Sequence, residues 1–165
     1  MFTGTFHGSE SAFVNFMLGH YINGTGPINY VFPVNGEVSN FMRGSQIVKD
    51  AIAEWQKAGS KDGWNAKVEF GPATQLRLLK ENKLISAENF VGSANITINV
   101  ANSNQILLRI YNVTSITSGD FMKHLPGGVW GPSVVADPNS GKAQPYSNIL
   151  QIYQLQGTKE ELDKK

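Results

Sequence analysis

Apolar residues in this chain recur first with the period of a helix and later with the period of a strand. Phe13, Phe16, Met17 and His20 follow one another at helical spacing after Ser9, a residue type whose side chain caps helix N-termini. The run stops at Gly24-Thr25-Gly26-Pro27, so the pattern predicts a short amphipathic helix. Beyond an extended Asn29-Tyr30-Val31-Phe32-Pro33, residues 39–58 place Phe41, Ser45, Val48, Ile52 and Trp55 at intervals of four, three, four and three. That spacing predicts one longer helix with a single buried face. Lys49, Asp50, Glu54 and Lys57 fall off the stripe, and Gly59 supplies the C-terminal signal.

From residue 64 the period shortens to two, which belongs to strands. Trp64, Ala66, Val68 and Phe70 alternate with Asn65, Lys67 and Glu69 as far as Gly71-Pro72, and a short helix is expected through Leu76, Leu79 and Lys83. Ala94, Ile96, Ile98 and Val100 then alternate with Ser93, Asn95, Thr97 and Asn99. Ala101-Asn102-Ser103-Asn104 reads as a turn, and residues 105–113 return as the partner strand of a hairpin. In residues 148–156, Ile149, Gln151, Tyr153 and Leu155 alternate with Leu150, Ile152 and Gln154. Between these last two strands, residues 114–147 carry repeated Gly and Pro and no periodicity.

The expected fold class is α+β. N-terminal helices pack on a C-terminal antiparallel sheet of about four strands, with a long Gly/Pro-rich loop before the last strand. Residues 1–157 form a single domain, and the charged tail 158–165 is expected to fray. A long loop without its own periodicity is uncommon in a compact domain and is the first place to look for a site.

Composition narrows the function. Of 165 residues, 41% are apolar and 16% charged, which excludes intrinsic disorder. Fourteen Lys+Arg against 13 Asp+Glu leave a net charge of +1, so no overall field draws in nucleic acid. The polar surface is built instead from Gly, Asn, Ser, Thr and Gln, which suggests an exported, β-rich protein. The absence of Cys removes disulfides, thiolate metal sites and a Cys nucleophile together. No stretch approaches the roughly 20 apolar residues of a membrane span, so no stable membrane insertion is expected. Detachment of the first helix with Phe13, Phe16, Met17 and Leu18 would be the one route to membrane disruption. The start, Met1 to His7, has no signal-peptide pattern, which fits either a cytosolic protein or a part whose export signal lies elsewhere. Asn23, Asn95 and Asn112 begin Asn-x-Ser/Thr sequons, a frequency that chance explains in a chain this rich in Asn and Thr.

Gly24-Thr25-Gly26-Pro27-Ile28-Asn29-Tyr30-Val31-Phe32, with Glu37 to Met42 and Ser45-Gln46-Ile47-Val48, resembles the variable C-terminal extensions of some Rhs/YD-repeat proteins of Bacteroidetes. Phe90-Val91-Gly92-Ser93, Asn112 to Ser118 and Tyr146 to Gln151 are similar to the same extensions. The resemblance implies a polymorphic toxin or effector secreted or injected as part of a larger protein in interbacterial competition, with a cognate immunity protein as partner. It implies no catalytic residues, and whether the domain is an enzyme stays open, a hydrolase-type toxin being one form.

The residues themselves offer several chemical arrangements. Asp120 and His124 stand four apart, so on one helical turn the carboxylate can orient the imidazole as a general base. Ser115 and Ser118 lie just before them as candidate nucleophiles. The bland alternative is a solvated, capped turn. Arg109 shares a strand face with Leu107, Tyr111 and Val113, where a guanidinium can hold a carboxylate or phosphate in bidentate fashion. Trp130, in Gly127-Gly128-Val129-Trp130-Gly131-Pro132, is either a ligand contact or a cap over the sheet. Gln105, Gln151, Gln154 and Gln156, with Asn148, give the strands an amide-rich edge suited to sugar hydroxyls or to a partner's backbone, or are ordinary solvated positions.

His7, Glu10 and His20 form a possible oxygen and nitrogen metal set, but their spacing matches no zinc motif, and no metal or other cofactor is expected. Asp120, His124, Arg109 and Ser115 are thus the catalytic candidates, and Trp130, Tyr111 and Gln151 the ligand-binding ones. The leading expectation is an effector acting on a small polar or cell-envelope target, monomeric as an isolated domain. The alternative is a non-catalytic glycan- or protein-binding module of a secreted protein.

Overall fold

The computed structural model describes residues 5–114 and 149–164. In chain order its elements are α1 (Glu10–Asn23), β1 (Asn29–Val31), α2 (Glu37–Asn40), α3 (Gln46–Lys57), β2 (Trp64–Val68), α4 (Pro72–Lys80), α5 (Ala87–Val91), β3 (Ala94–Val100), β4 (Ile106–Thr114), β5 (Ile149–Gly157) and α6 (Lys159–Leu162). The fold is α+β. The described strands form one sheet in the order β1-β5-β4-β3-β2, antiparallel except for β1, which runs parallel to β5. The extended segment at Tyr30 is therefore a fifth strand, recruited to the edge beyond the last strand in sequence.

Alternation along the strands divides the sheet into two faces. Ile96, Ile98, Ile106, Leu108, Ile110, Ile149, Tyr153 and Leu155 are buried beneath the helices. Leu107, Arg109, Tyr111, Leu150, Ile152 and Gln154 point to the other face and are only half-buried. An aromatic cluster joins α1 to the covered face: the Phe13 ring stands edge-on to Phe32 at 5.5 Å and to Tyr153 at 6.3 Å.

Ser9 caps α1 as expected, its hydroxyl accepting from the Ala12 N–H. The buried stripe is rotated from the expected one, to Phe13, Val14, Met17, Leu18 and Tyr21, leaving Phe16 and His20 at its boundary. The single helix expected over residues 39–58 is two helices. The chain between them makes i to i−3 turns, such as Phe41 N–H to Val38 C=O and Met42 N–H to Ser39 C=O, and Gly44 adopts a φ of 67° that only glycine takes up without strain. The α3 stripe of Ile47, Val48, Ala51, Ile52 and Trp55 then packs onto β2 and β3.

Two more elements depart from the sequence pattern. Within α4 it is Leu78 that is buried, while Leu76 and Leu79 are exposed. The tail expected to fray carries α6, started by a reciprocal cap in which Thr158 accepts from the Glu161 N–H and Glu161 accepts from the Thr158 N–H. Leu162 is fully buried, and its carbonyl accepts from the Gly44 N–H. One apolar residue in a charged tail is enough to dock it.

Candidate functional site

Residue Thr114 ends β4 directly opposite Ile149, which begins β5. The described strands on either side of residues 115–148 thus end and begin at adjacent points of one antiparallel ladder, which is the mount for that segment. On the covered face, this mount is a network of polar side chains. Gln151, with no exposure at all, accepts from Asn112 Nδ2 at 2.8 Å and from the Tyr153 hydroxyl at 3.2 Å through Oε1. Its Nε2 donates to Thr114 Oγ1 at 2.5 Å. Burial pushes the Tyr153 phenol far above its ordinary value, so it stays a neutral donor.

Gln151 thus lies inside the protein rather than on a solvated amide edge, and the sequon at Asn112 is spent on internal bonds. Strand phase was the available signal: Gln151 alternates in step with Ile149, Tyr153 and Leu155, and Asn112 in step with Leu108 and Ile110.

Arg109 and Tyr111 occupy the opposite face. Arg109 sits between Thr97 and Gln154 in the register, and its Nε donates to Gln154 Oε1 at 3.1 Å. Gln154 in turn donates to the Phe32 carbonyl at 2.9 Å, tying the guanidinium to the edge strand. Among the described residues Arg109 makes no ion pair. The sheet therefore separates Gln151 from Arg109 and Tyr111, which share one face. Asp120, His124, Ser115, Ser118 and Trp130 lie outside the described residues, as does Asn148.

The three residues of the possible metal set go separate ways. His7 is exposed and bonds Glu37 at 3.1 Å, Glu10 accepts from the Ala87 N–H at 2.9 Å, and His20 Nδ1 bonds the Tyr30 hydroxyl. Burial lowers the His20 pKa and pushes the Tyr30 phenol up to about 12, so burial favours the neutral form of each. Gly26 closes over it at φ 84°: a Cβ there would stand 2.5 Å from His20 Nδ1 and 2.8 Å from the Tyr30 oxygen. Gly26 serves this close approach, and Gly24 closes α1 in the left-handed conformation. Among the described residues no group of three or more His, Asp or Glu side chains gathers as a metal site, and no helix is long and apolar enough to cross a membrane.

Two features were not anticipated. Glu88, 2% exposed, accepts from Arg77 Nη2 and from the Gln46 N–H, both at 2.7 Å. One carboxylate thereby caps α3 from another element and pairs a cation, and its hydrogen bond raises the Arg77 pKa.

The second is an open cleft of about 540 Å³ at the far end of β4, between the β3–β4 turn, the end of α3 and the start of α6. Trp55, Val100 and Ile106 supply its apolar wall, and Gln56, Asn104 and Gln105 are among its polar groups. Comparison with protein-family models, with curated proteins and with solved structures finds no match to this chain.

Proposed function

We propose that this chain is a C-terminal effector domain of the Rhs/YD-repeat kind, secreted or injected into competing cells, and neutralised in the producer by a cognate immunity protein. The resemblance at residues 24–32, 37–42, 45–48, 90–93, 112–118 and 146–151 supplies the context. The single structural observation that supports it is the mount at Thr114 and Ile149. A segment rich in Gly and Pro, carrying Asp120, His124 and Trp130, departs from and returns to adjacent rungs of a ladder whose side chains are locked by Gln151. Reactive residues held by a rigid scaffold are the common arrangement of functional loops.

In this reading His124 acts as general base oriented by Asp120, Ser115 is the nucleophile, and Arg109 with Tyr111 holds a polar or anionic part of the target. Trp130 provides an apolar contact. Gln151 acts as a positioning residue, because both ends of its amide are already engaged inside the protein.

Induced expression in a bacterial host, once in the cytoplasm and once directed to the periplasm, tests the proposal. Growth arrest in at least one compartment is expected, with relief by His124→Ala and partial relief by Arg109→Ala. Arrest that His124→Ala leaves unchanged would overturn the assigned chemistry. No arrest in either compartment would overturn the effector reading itself.

A further inference from the structure

We propose that the cleft at the hairpin end of the sheet is a binding site for a short, uncharged carbohydrate. It lies at the opposite end of β4 from the 115–148 mount and stands independently of the effector reading. Its volume, about 540 Å³, falls within the roughly 300–1,000 Å³ usual for small-molecule sites. Such sites are mostly apolar. This one carries neutral hydrogen-bonding groups over much of its lining, which selects a ligand with hydroxyls rather than hydrocarbon.

Three observations favour a neutral sugar over other polar ligands. Lys159 and Glu160, the charged lining residues, lie 3.6 Å apart and pair with each other, so the cleft presents no net charge to an anion or a cation. The side chains of Gln56 and Asn104 bond no other described residue, and neither do those of Ser60 and Ser103. Each amide can donate and accept at once, which is the demand a vicinal diol makes. Behind them, exposed Val100 and the edges of the buried Trp55 and Ile106 give the apolar C–H face of a sugar ring a surface to lie against.

The walls are also held in place before any ligand arrives. Trp55 Nε1 donates to the Lys61 carbonyl at 2.8 Å. Asn102 Oδ1 accepts from the Asn104 and Gln105 N–H groups, both at 3.1 Å, fixing the turn. Gln105 Oε1 accepts from Gln156 Nε2 at 3.4 Å, and the Thr158–Glu161 cap orders the third wall. Little ordering remains to oppose binding. An open, polar site with these contacts is expected to bind on the order of 1 mM.

Two-dimensional NMR of the chain titrated with glucose, galactose, N-acetylglucosamine, maltose and lactose tests the proposal, with glucuronate as the charged control. The expected result is saturable shifts of the Trp55 indole N–H and of the amides of residues 102–106 with at least one neutral sugar, and weaker shifts with glucuronate. The paired substitution Gln56→Ala/Asn104→Ala is at exposed positions and should keep the spectrum of the folded protein while weakening binding about tenfold. No saturable shift with any of these sugars, shifts confined to residues elsewhere, a preference for glucuronate, or undiminished binding by the paired variant would each overturn it. Growth arrest in the host assay is not affected by any of these outcomes, so the two proposals fail separately.

Discussion

The two ends of β4 use the same chemistry in opposite ways. At one end Asn112 and Gln151 are buried and spend their amides on each other, on Thr114 and on Tyr153. At the other, Asn102, Asn104, Gln105 and Gln56 surround an open cleft, and Asn102 and Gln105 make local bonds while Gln56 and Asn104 stay available. The difference lies in burial. A buried amide without partners costs roughly 1–3 kcal/mol, so the covered end must close its network. An exposed amide exchanges water for a ligand at little cost. The residue type therefore does not tell a structural amide from a recognition amide; the helices lying over one face do.

The largest effect is expected at Gln151. Gln151→Leu keeps the volume but strands Asn112, Thr114 and Tyr153, and should lower unfolding free energy by about 3 kcal/mol in urea denaturation. A loss below about 0.5 kcal/mol would mean that the network contributes nothing. Combining it with Asn112→Leu should cost less than the sum of the two single changes, since removing both partners leaves fewer orphans.

Glu88→Ala extends the rule from amides to a charge. It strips Arg77 and the α3 N-terminus of one shared acceptor, and about 2 kcal/mol should be lost in the same measurement. Arg77 is 38% exposed, and water at its guanidinium holds the loss at that level.

His20 sits between the extremes, half-buried and bonded to the fully buried Tyr30. The folded pKa of His20 lies below its ordinary value of 6.5, so the unfolded chain takes up a proton first. The associated stability is complete above pH 6.5 and falls as the pH drops through that value toward the folded pKa. Urea midpoints should decline over this window in the native chain and lose that decline in His20→Gln. Asp62, Glu69 and Glu81, whose pKa values are lowered by their hydrogen bonds, contribute above the ordinary carboxylate range and are lost only at lower pH, so the two windows are separable. The smallest effect belongs to the open end: Gln56→Ala/Asn104→Ala should leave stability within about 0.5 kcal/mol.

Much of the sheet was legible from period two alone. The hairpin of β3 and β4, its turn at residues 101–104 and the phase of β5 follow from alternation, because a one-residue slip would expose an entire apolar face. The same alternation already placed Gln151 among Ile149, Tyr153 and Leu155, and the expectation of a solvated amide followed residue type instead of phase. The helical half was less legible. Phe41 and Ser45 extend the α3 stripe in sequence, yet the chain turns at Gly44. Local periodicity does not register a helix that restarts on a distant cap such as Glu88.

Composition and pattern by themselves determined an α+β chain with few charges, a strand-built second half and a neutral polar surface. Tertiary structure decided that Tyr30 belongs to an edge strand beside β5, that Leu162 docks the tail, and that His7, Glu10 and His20 bond to different partners. It also decided that Arg109 and Gln151 lie on opposite faces, and that polar residues from α3, the hairpin turn and α6 meet around one cleft. Each of these depends on contacts between residues far apart in the chain. Their geometry is fixed only when the helices cover one face of the sheet, since burial sets the cost of every unpaired polar group.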